Sequence, residues 1–240
     1  MKQIKIWQYW EGYEQPFIRR AHESVQAWNN NATIIRQFDP GFDISHIIVQ
    51  HRADMARLFF LYHFGGIWID SDCICLRDLS FLEQELGDFD LLVPTEVPHC
   101  FGKHVIPNAF IVAKPRSPLL REAISIAQQR VLEAKSGSEL RWGEIGADLL
   151  TELMDKYRSS IRFVSWKLVF PIPFTNPGAY MYRRTDSGHR THLNNEAYVY
   201  MLYNTAWPFL KTLTDKDLLE SDMFICYLYR LGTKCIKTEK

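Results

Sequence analysis

Long hydrophobic runs are missing from this sequence. The longest, such as Leu58 to Tyr62, fall far short of the ~20 apolar residues that a membrane-spanning helix requires. The opening stretch, Met1 to Trp10, has no apolar core of the secretory kind. An excess of one charge is missing too. The 28 acidic residues balance the 28 basic ones, so no overall field draws the chain to nucleic acid or to an anionic membrane. Cysteine is scarce and unpatterned. Cys73, Cys75, Cys100, Cys226 and Cys235 form no C-x-x-C pair and no Cys/His cluster. That argues against structural zinc and for free thiols in a reducing compartment. These absences predict a soluble, cytoplasmic protein, at most peripherally in contact with a membrane or its cytoplasmic face. No internal repeat and no linker interrupts the chain, so a single domain over residues 1–240 is expected.

Aromatic residues are plentiful, at 14% of the chain with seven Trp. They fill cores and also stack on flat or ring-shaped ligands. Strand and helix patterns alternate along the chain. Residues 3–10 alternate apolar and polar as a strand does, and Pro16 to Asn29 has helical spacing through Phe17, Ala21, Val25 and Trp28. Thr33 to Gln37 reads as a strand and Arg52 to Phe64 as a helix stopped by Gly65-Gly66. Ile67 to Ile69 is a buried strand by composition, with Ile74 and Leu76 continuing it or starting another. Further strands are predicted at Leu91 to Val93, Ala109 to Ala113, Ile161 to Val164 and Tyr198 to Tyr203. Further helices are predicted at Pro118 to Glu133, Glu144 to Tyr157 and Asp215 to Leu231. This order calls for an α/β fold with a mainly parallel central sheet flanked by helices.

One block carries chemistry: His51 to Asp72, HRADMARLFFLYHFGGIWIDSD. A helix there holds Asp54 and Arg57 three apart, on one face. A Gly-Gly turn reverses the backbone. An apolar strand then ends in Asp70-Ser71-Asp72, at the carboxyl edge where open α/β sheets bind ligands. On an extended chain, residues two apart point the same way, so the two carboxylates can aim at one hard cation. Mg²⁺ or Mn²⁺ takes one or two carboxylates together with phosphate oxygens and water. Each part alone has a plain structural explanation: a strand-end turn, a helical ion pair, a helix stop. Their coincidence in this order points to a site.

The run Ala53-Asp54-x-x-Arg57, Leu61-Tyr62 and Gly65-Gly66-Ile67-Trp68-Ile69-Asp70-Ser71-Asp72 resembles the DXD sugar-binding glycosyltransferases. That family includes yeast initiating mannosyltransferases of N-glycan outer chains and bacterial capsular and lipooligosaccharide glycosyltransferases. More distantly it includes the glucosylating clostridial toxins. Ile6-Trp7-Gln8-Tyr9-Trp10 is similar to the family's opening strand. Asn108-Ala109-Phe110 with Lys114-Pro115 and Pro118 is similar to its central segment, and Asn204-Thr205-Ala206-Trp207 to its closing motif.

The resemblance implies a GT-A, Rossmann-like domain, a divalent cation (Mn²⁺, or Mg²⁺) and a nucleotide diphosphate sugar donor. It implies transfer with retention to a glycan or lipid-linked saccharide acceptor, in surface polysaccharide biosynthesis. Residues 1–115 would then serve mainly the donor, and residues 116–240 the acceptor side and a closing loop. Trp10 would stack on the donor base, and Asp54 and Arg57 would hold the donor sugar. Trp68 would line the sugar pocket, Asp70 would bind ribose or sugar hydroxyls and Asp72 the metal, and Trp207 would close over the diphosphate. Apart from the resemblance, Asn108 is a candidate contact to the donor or to the acceptor side, and Asp148 to the acceptor side. The chain departs from the family at Trp7 and at Met201, where the family often has His. A thioether is a poor ligand for a hard cation, so Asn204 and Thr205 are candidate replacements. His99, His104, His189 and His192 fall in predicted loops open to an acceptor. The basic end, with Arg230, Lys234, Lys237 and Lys240, could brush an anionic membrane. Two rival readings stand beside this one. An apolar strand ending in Asp-x-Asp also opens haloacid-dehalogenase-type phosphatases, where the first Asp is a nucleophile. A non-catalytic nucleotide- or carbohydrate-binding module is the other.

Overall fold

Short apolar runs become strands here, and the longer mixed segments between them become helices. A computed structural model describes residues 4–95, 106–135, 139–181 and 193–234. Cys100, His99, His104, His189, His192, Cys235, Lys237 and Lys240 lie outside the described residues. In chain order the elements are β1 (Ile6–Tyr9), α1 (Pro16–Trp28), β2 (Ala32–Ile35), α2 (Val49–Phe64), β3 (Gly66–Ile69), β4 (Cys73–Cys75), α3 (Phe81–Leu86), β5 (Leu91–Pro94) and β6 (Phe110–Ala113). Then follow α4 (Pro118–Glu133), α5 (Ala147–Met154), β7 (Ile161–Val164), β8 (Val199–Met201), α6 (Asp215–Glu220) and α7 (Phe224–Gly232).

Six strands form the main sheet in the order β2-β1-β3-β6-β5-β7. Pairs β2–β1, β1–β3 and β5–β7 are parallel, and β6 runs antiparallel to both its neighbours. The expected α/β fold with a mainly parallel sheet is present, with β6 as its one reversed strand. On one face Trp7, Trp68, Met55, Leu58 and Leu61 pack with α4 residues Leu119 and Leu120. A second cluster joins α1 to the carboxyl-terminal part through Phe17, Ile18, Tyr200, Phe224 and Tyr229. The β4–β8 pair forms a small separate sheet that packs into this second cluster through Ile74 and Tyr200, so Ile74 lies in a new strand rather than extending β3.

Three elements differ from the sequence-based expectation. Helix α5 starts at Ala147 instead of Glu144, because residues 143–146 form a turn that Gly143 enters at φ 81°. The single helix expected from Asp215 to Leu231 is two. A capping box at Thr214 and Asp217 fixes the start of α6. The Ser221 hydroxyl then accepts the Met223 N–H at 3.3 Å, a local bond that competes with helix continuation. Helix α3 is additional to the expected elements. Its Leu82 and Leu86, both buried and four residues apart, are the signal, and Gly87 at φ 51° ends it.

The α2–β3 junction is the tightest place in the fold. Gly65 and Gly66 sit at φ 63° and 103°. A Cβ on Gly66 would collide with the Lys5 carbonyl oxygen, which β3 needs because the Ile67 N–H donates to it at 2.8 Å. Strain and clash therefore coincide in the mutant backbone. Gly66→Ala is expected to cost about 3 kcal/mol or more. Gly12→Ala, at φ 80° with open space around it, should cost only the backbone strain. Thermal melts of the two variants check this, and equal losses would contradict the packing argument.

Candidate active site

The junction just described sets the register of β3, and with it the position of Asp70. The Asp70 N–H donates to the Ala109 carbonyl at 2.9 Å, so β6 fixes the strand end. Arg57 reaches the same point from the middle of α2. Its Nη2 lies 2.8 Å from Asp70 Oδ1, and its Nη1 donates to Asp54 Oδ1. Trp68 Nε1 adds a bond to Asp70 Oδ1 at 2.7 Å, and its ring lies 5.0 Å from the Arg57 guanidinium carbon. Asn108 Nδ2 donates to Asp54 Oδ1 at 2.9 Å. One network therefore joins Asp54, Arg57, Trp68, Asp70 and Asn108.

Burial gives this network its energetic character. Arg57 is 3% exposed and Asp54 8%. Burial raises the Asp54 carboxyl above its usual range, and Arg57 only partly offsets it. For Arg57, burial acts to lower the pKa, but the Asp70 and Asp54 carboxylates outweigh it and hold the guanidinium above its ordinary value. Arg57 is thus a fixed cation beneath two anions. The indole of Trp68, 1% exposed, is turned inward under it and orients Asp70.

Asp72 belongs to a second, adjoining group. Its Oδ2 accepts the Asn204 N–H at 2.7 Å, and its carbonyl accepts the Leu202 N–H at 2.9 Å. Tyr203 makes this possible by adopting φ 54°, ψ 49°, a left-handed turn uncommon for a non-glycine residue. The closing segment is thereby stitched to the Asp-x-Asp strand end. Burial, and then the neighbouring Asp70 carboxylate, push Asp72 up to about 7 against the Asn204 hydrogen bond. Asn204 Oδ1 is buried with no partner, a costly state for an amide oxygen. Thr205 is exposed. Met201 is engaged elsewhere, with its sulfur 3.3 Å from Cys73 Sγ across the β4–β8 pair.

Trp10 follows β1 and is partly buried. Its Nε1 donates to the Tyr13 carbonyl at 3.2 Å, and its ring stands edge-on to His22. Trp207 is 3% exposed and packs edge-on against Tyr180, so in this conformation it braces the 204–207 turn. Asp148 lies in the first turn of α5.

Two features of the site escape the sequence patterns. A Cβ on Gly146 would lie 2.6 Å from both Asp54 Oδ1 and Asn108 Nδ2, so the turn before α5 closes over the network. The Gly143-x-x-Gly146 spacing is the available signal. The other is a clasp beside Trp10. Tyr9 donates to Glu11, and Arg52 grips both Glu11 oxygens at 2.7 to 3.2 Å. The hydrogen bonds from Arg52 hold Glu11 below the usual carboxylate range.

Comparison with known proteins agrees with this geometry. Residues 12–91 match the family described as a glycosyltransferase sugar-binding region containing a DXD motif. Inositol phosphoceramide mannosyltransferase 1 of Schizosaccharomyces pombe is 32% identical over 73 residues. That stretch is 30% of this chain and 20% of the relative, so the chain matches about a fifth of the relative's length. Among solved structures, the galactosyltransferase LgtC in complex with donor and acceptor sugar analogues superposes with a TM-score of 0.55. It is 14% identical, with 99% of this chain and 98% of that one covered. Apo glycosyltransferase GlyE of Streptococcus pneumoniae gives 0.54 at 14% identity, covering 97% of this chain and 60% of its own. At that identity the likeness is one of fold, the GT-A type. The resemblance carried by Asp54 to Asp72 is borne out.

Proposed function

We propose that this chain, whose residues 12–91 carry the sugar-binding region of the DXD glycosyltransferases, transfers a sugar from a nucleotide diphosphate sugar to a saccharide acceptor, with retention of configuration. The observation that carries this reading is the buried Asp54–Arg57–Asp70 network beside Asp72. It is a preorganised set of charges at the ligand-binding edge of the sheet. In this reading residues 1–115 hold mainly the donor and residues 116–240 the acceptor side.

The residues present suit a divalent cation. Asp72 and the orphaned Asn204 Oδ1 are hard oxygen donors on neighbouring backbone. Met201 is spent on Cys73 and has the wrong chemistry. No cluster of three or more His, Cys, Asp or Glu side chains suited to a metal occurs among the described residues, so diphosphate and water would complete the shell. When bound, Mn²⁺ or Mg²⁺ would neutralise charge on the departing nucleotide diphosphate. Asp54 and Arg57 orient the donor sugar, and Asp70, held by Arg57 and Trp68, accepts from ribose or sugar hydroxyls. Trp10 stacks on the base. The acceptor hydroxyl attacks the sugar from the face the diphosphate leaves and gives its proton to a leaving phosphate oxygen.

The phosphatase reading lacks the support the transferase reading has, since residues 12–91 match the sugar-binding region of the DXD glycosyltransferases. A panel of nucleotide sugars with Mn²⁺, scored for donor hydrolysis, tests the proposal. At least one donor should turn over, and EDTA should suppress turnover by about 10²-fold or more. Metal-dependent nucleotide binding without turnover of any donor would favour a binding module instead. Undiminished turnover in EDTA would remove the cation from the reaction. No helix among the described residues is long and apolar enough to cross a membrane. The acceptor in this reading is a surface glycan, free or lipid-linked.

A further inference from the structure

The turn that closes over Asp54 also holds Trp142, which is 69% exposed. A lone exposed apolar side chain is ordinary. A tryptophan on a turn pinned this firmly, beside a buried charge network, is a placement. The Arg141 N–H donates to Glu144 Oε2 at 2.8 Å, the Gly146 N–H to the Gly143 carbonyl at 2.9 Å, and the Asp148 N–H to that carbonyl at 3.0 Å. From α4, Arg130 Nη1 donates to the Glu144 carbonyl at 2.5 Å. The turn therefore does not expose Trp142 for want of contacts.

Its location follows from the same bonds. Gly146 backbone touches Asp54 and Asn108. Gly143 is hydrogen-bonded to Gly146, and Trp142 is one residue further, a Cα step of about 3.8 Å. Trp142 thus starts on the order of 10 Å from the Asp54 carboxylate, on the side of the network that Gly146 covers. Carboxylates flank it. Glu144 is in the same turn, and the Asp148 carboxylate lies 3.2 to 3.3 Å from where a Gly143 Cβ would be. A flat apolar face edged by hydrogen-bonding carboxylates suits a sugar ring, which offers a C–H face and a rim of hydroxyls. The rim carries mixed charge, since Arg141 Nε lies 3.5 Å from Glu144 Oε2, so it offers both donors and acceptors to hydroxyls.

We propose that Trp142 is a stacking platform for the acceptor saccharide, held in place by the 141–146 turn. This rests on the transferase reading above. The experiment measures two quantities on wild type, Trp142→Ala and Trp142→Phe. One is acceptor-independent donor hydrolysis across the nucleotide-sugar panel. The other is binding of methyl glycosides and common disaccharides by saturation-transfer NMR. At least one saccharide should bind wild type, about tenfold more weakly to the Ala variant and nearly normally to the Phe variant, with donor hydrolysis equal in all three. Absence of saccharide binding to wild type, or equal binding to the Ala variant, overturns the proposal. So does a change in oligomeric state in the Ala variant with saccharide binding intact. Failure of wild type to turn over any donor defeats the transferase reading instead, and is read from the separate hydrolysis arm.

Discussion

Replacing Arg57 with Ala is expected to cost about 3–5 kcal/mol of stability and at least about 10³-fold in donor turnover. The two losses share one origin. Arg57 is 3% exposed and lies between Asp54 and Asp70. Without it, Asp54 stays buried, bonded only to Asn108 among the described residues. Burial already holds Asp54 above its usual range, and losing its cation raises it further. The folded variant then prefers the protonated carboxyl more strongly than the unfolded chain does. That preference supports the fold at low pH and is lost as pH rises above the ordinary carboxylate range. The stability gap between wild type and variant should therefore widen from acid toward neutral pH. Urea denaturation at a series of pH values checks the sign. Arg57→Lys tests the geometry, since an ammonium cannot present two donors in a fixed fork to two carboxylates. It should recover part of the stability and little of the turnover. A second-site Asp54→Asn in the Arg57→Ala background should recover stability without turnover. Recovery of turnover as well would mean that the network is only scaffolding.

How much of this is open to a reader of the sequence depends on how local each cause is. Asp54, Arg57 and Asp70 can be placed together because one helix, one glycine turn and one strand connect them within 17 residues of chain. The chain geometry leaves little choice there. Asp72 is legible as an acid at a strand end, but its grip on Asn204 is not. That contact spans 132 positions and depends on Tyr203 taking a left-handed conformation, which no pattern in the neighbouring residues announces. Trp68 and Trp207 show the limit of composition. The family resemblance turns both toward substrate, and the structure buries both, one under Arg57 and the other against Tyr180. A tryptophan next to a site can shape it from behind, and only packing tells the two roles apart. The turn at residues 143–146 is hidden by a different effect. Its residues continue the helical apolar spacing of α5, while Gly143 at φ 81° breaks the helix. Here a single backbone angle overrides the periodicity.

Asp72→Asn is expected to make the metal-free protein more stable while abolishing the activity. The carboxyl is pushed up to about 7, first by burial and then by Asp70, whereas in the unfolded chain it titrates near about 3.9. The folded state thus binds the extra proton between those values. Stability from this group is greatest below about pH 4, declines as pH rises to about 7, and is then flat. Above pH 7 the wild-type fold carries an ionised group that its surroundings oppose. The distance between the folded and unfolded values sets a ceiling of about 4 kcal/mol. Because Asp72 is only partly covered, screening leaves about 1–2 kcal/mol. Asn keeps an acceptor for the Asn204 N–H and removes the charge, so its melting temperature at pH 8 without metal should exceed wild type by about 3–6 °C. At pH 4 the difference should vanish. Adding Mn²⁺ should stabilise wild type in proportion to ln(1 + [M]/Kd) and leave the variant unmoved. Donor turnover should fall by about 10³-fold or more. A variant that melts below wild type at pH 8, or one that Mn²⁺ still stabilises, would show that Asp72 is a structural acid and that the cation is held by other groups. The opposite outcome would identify a carboxylate whose unfavourable charge in the empty fold is the same charge that a bound cation needs.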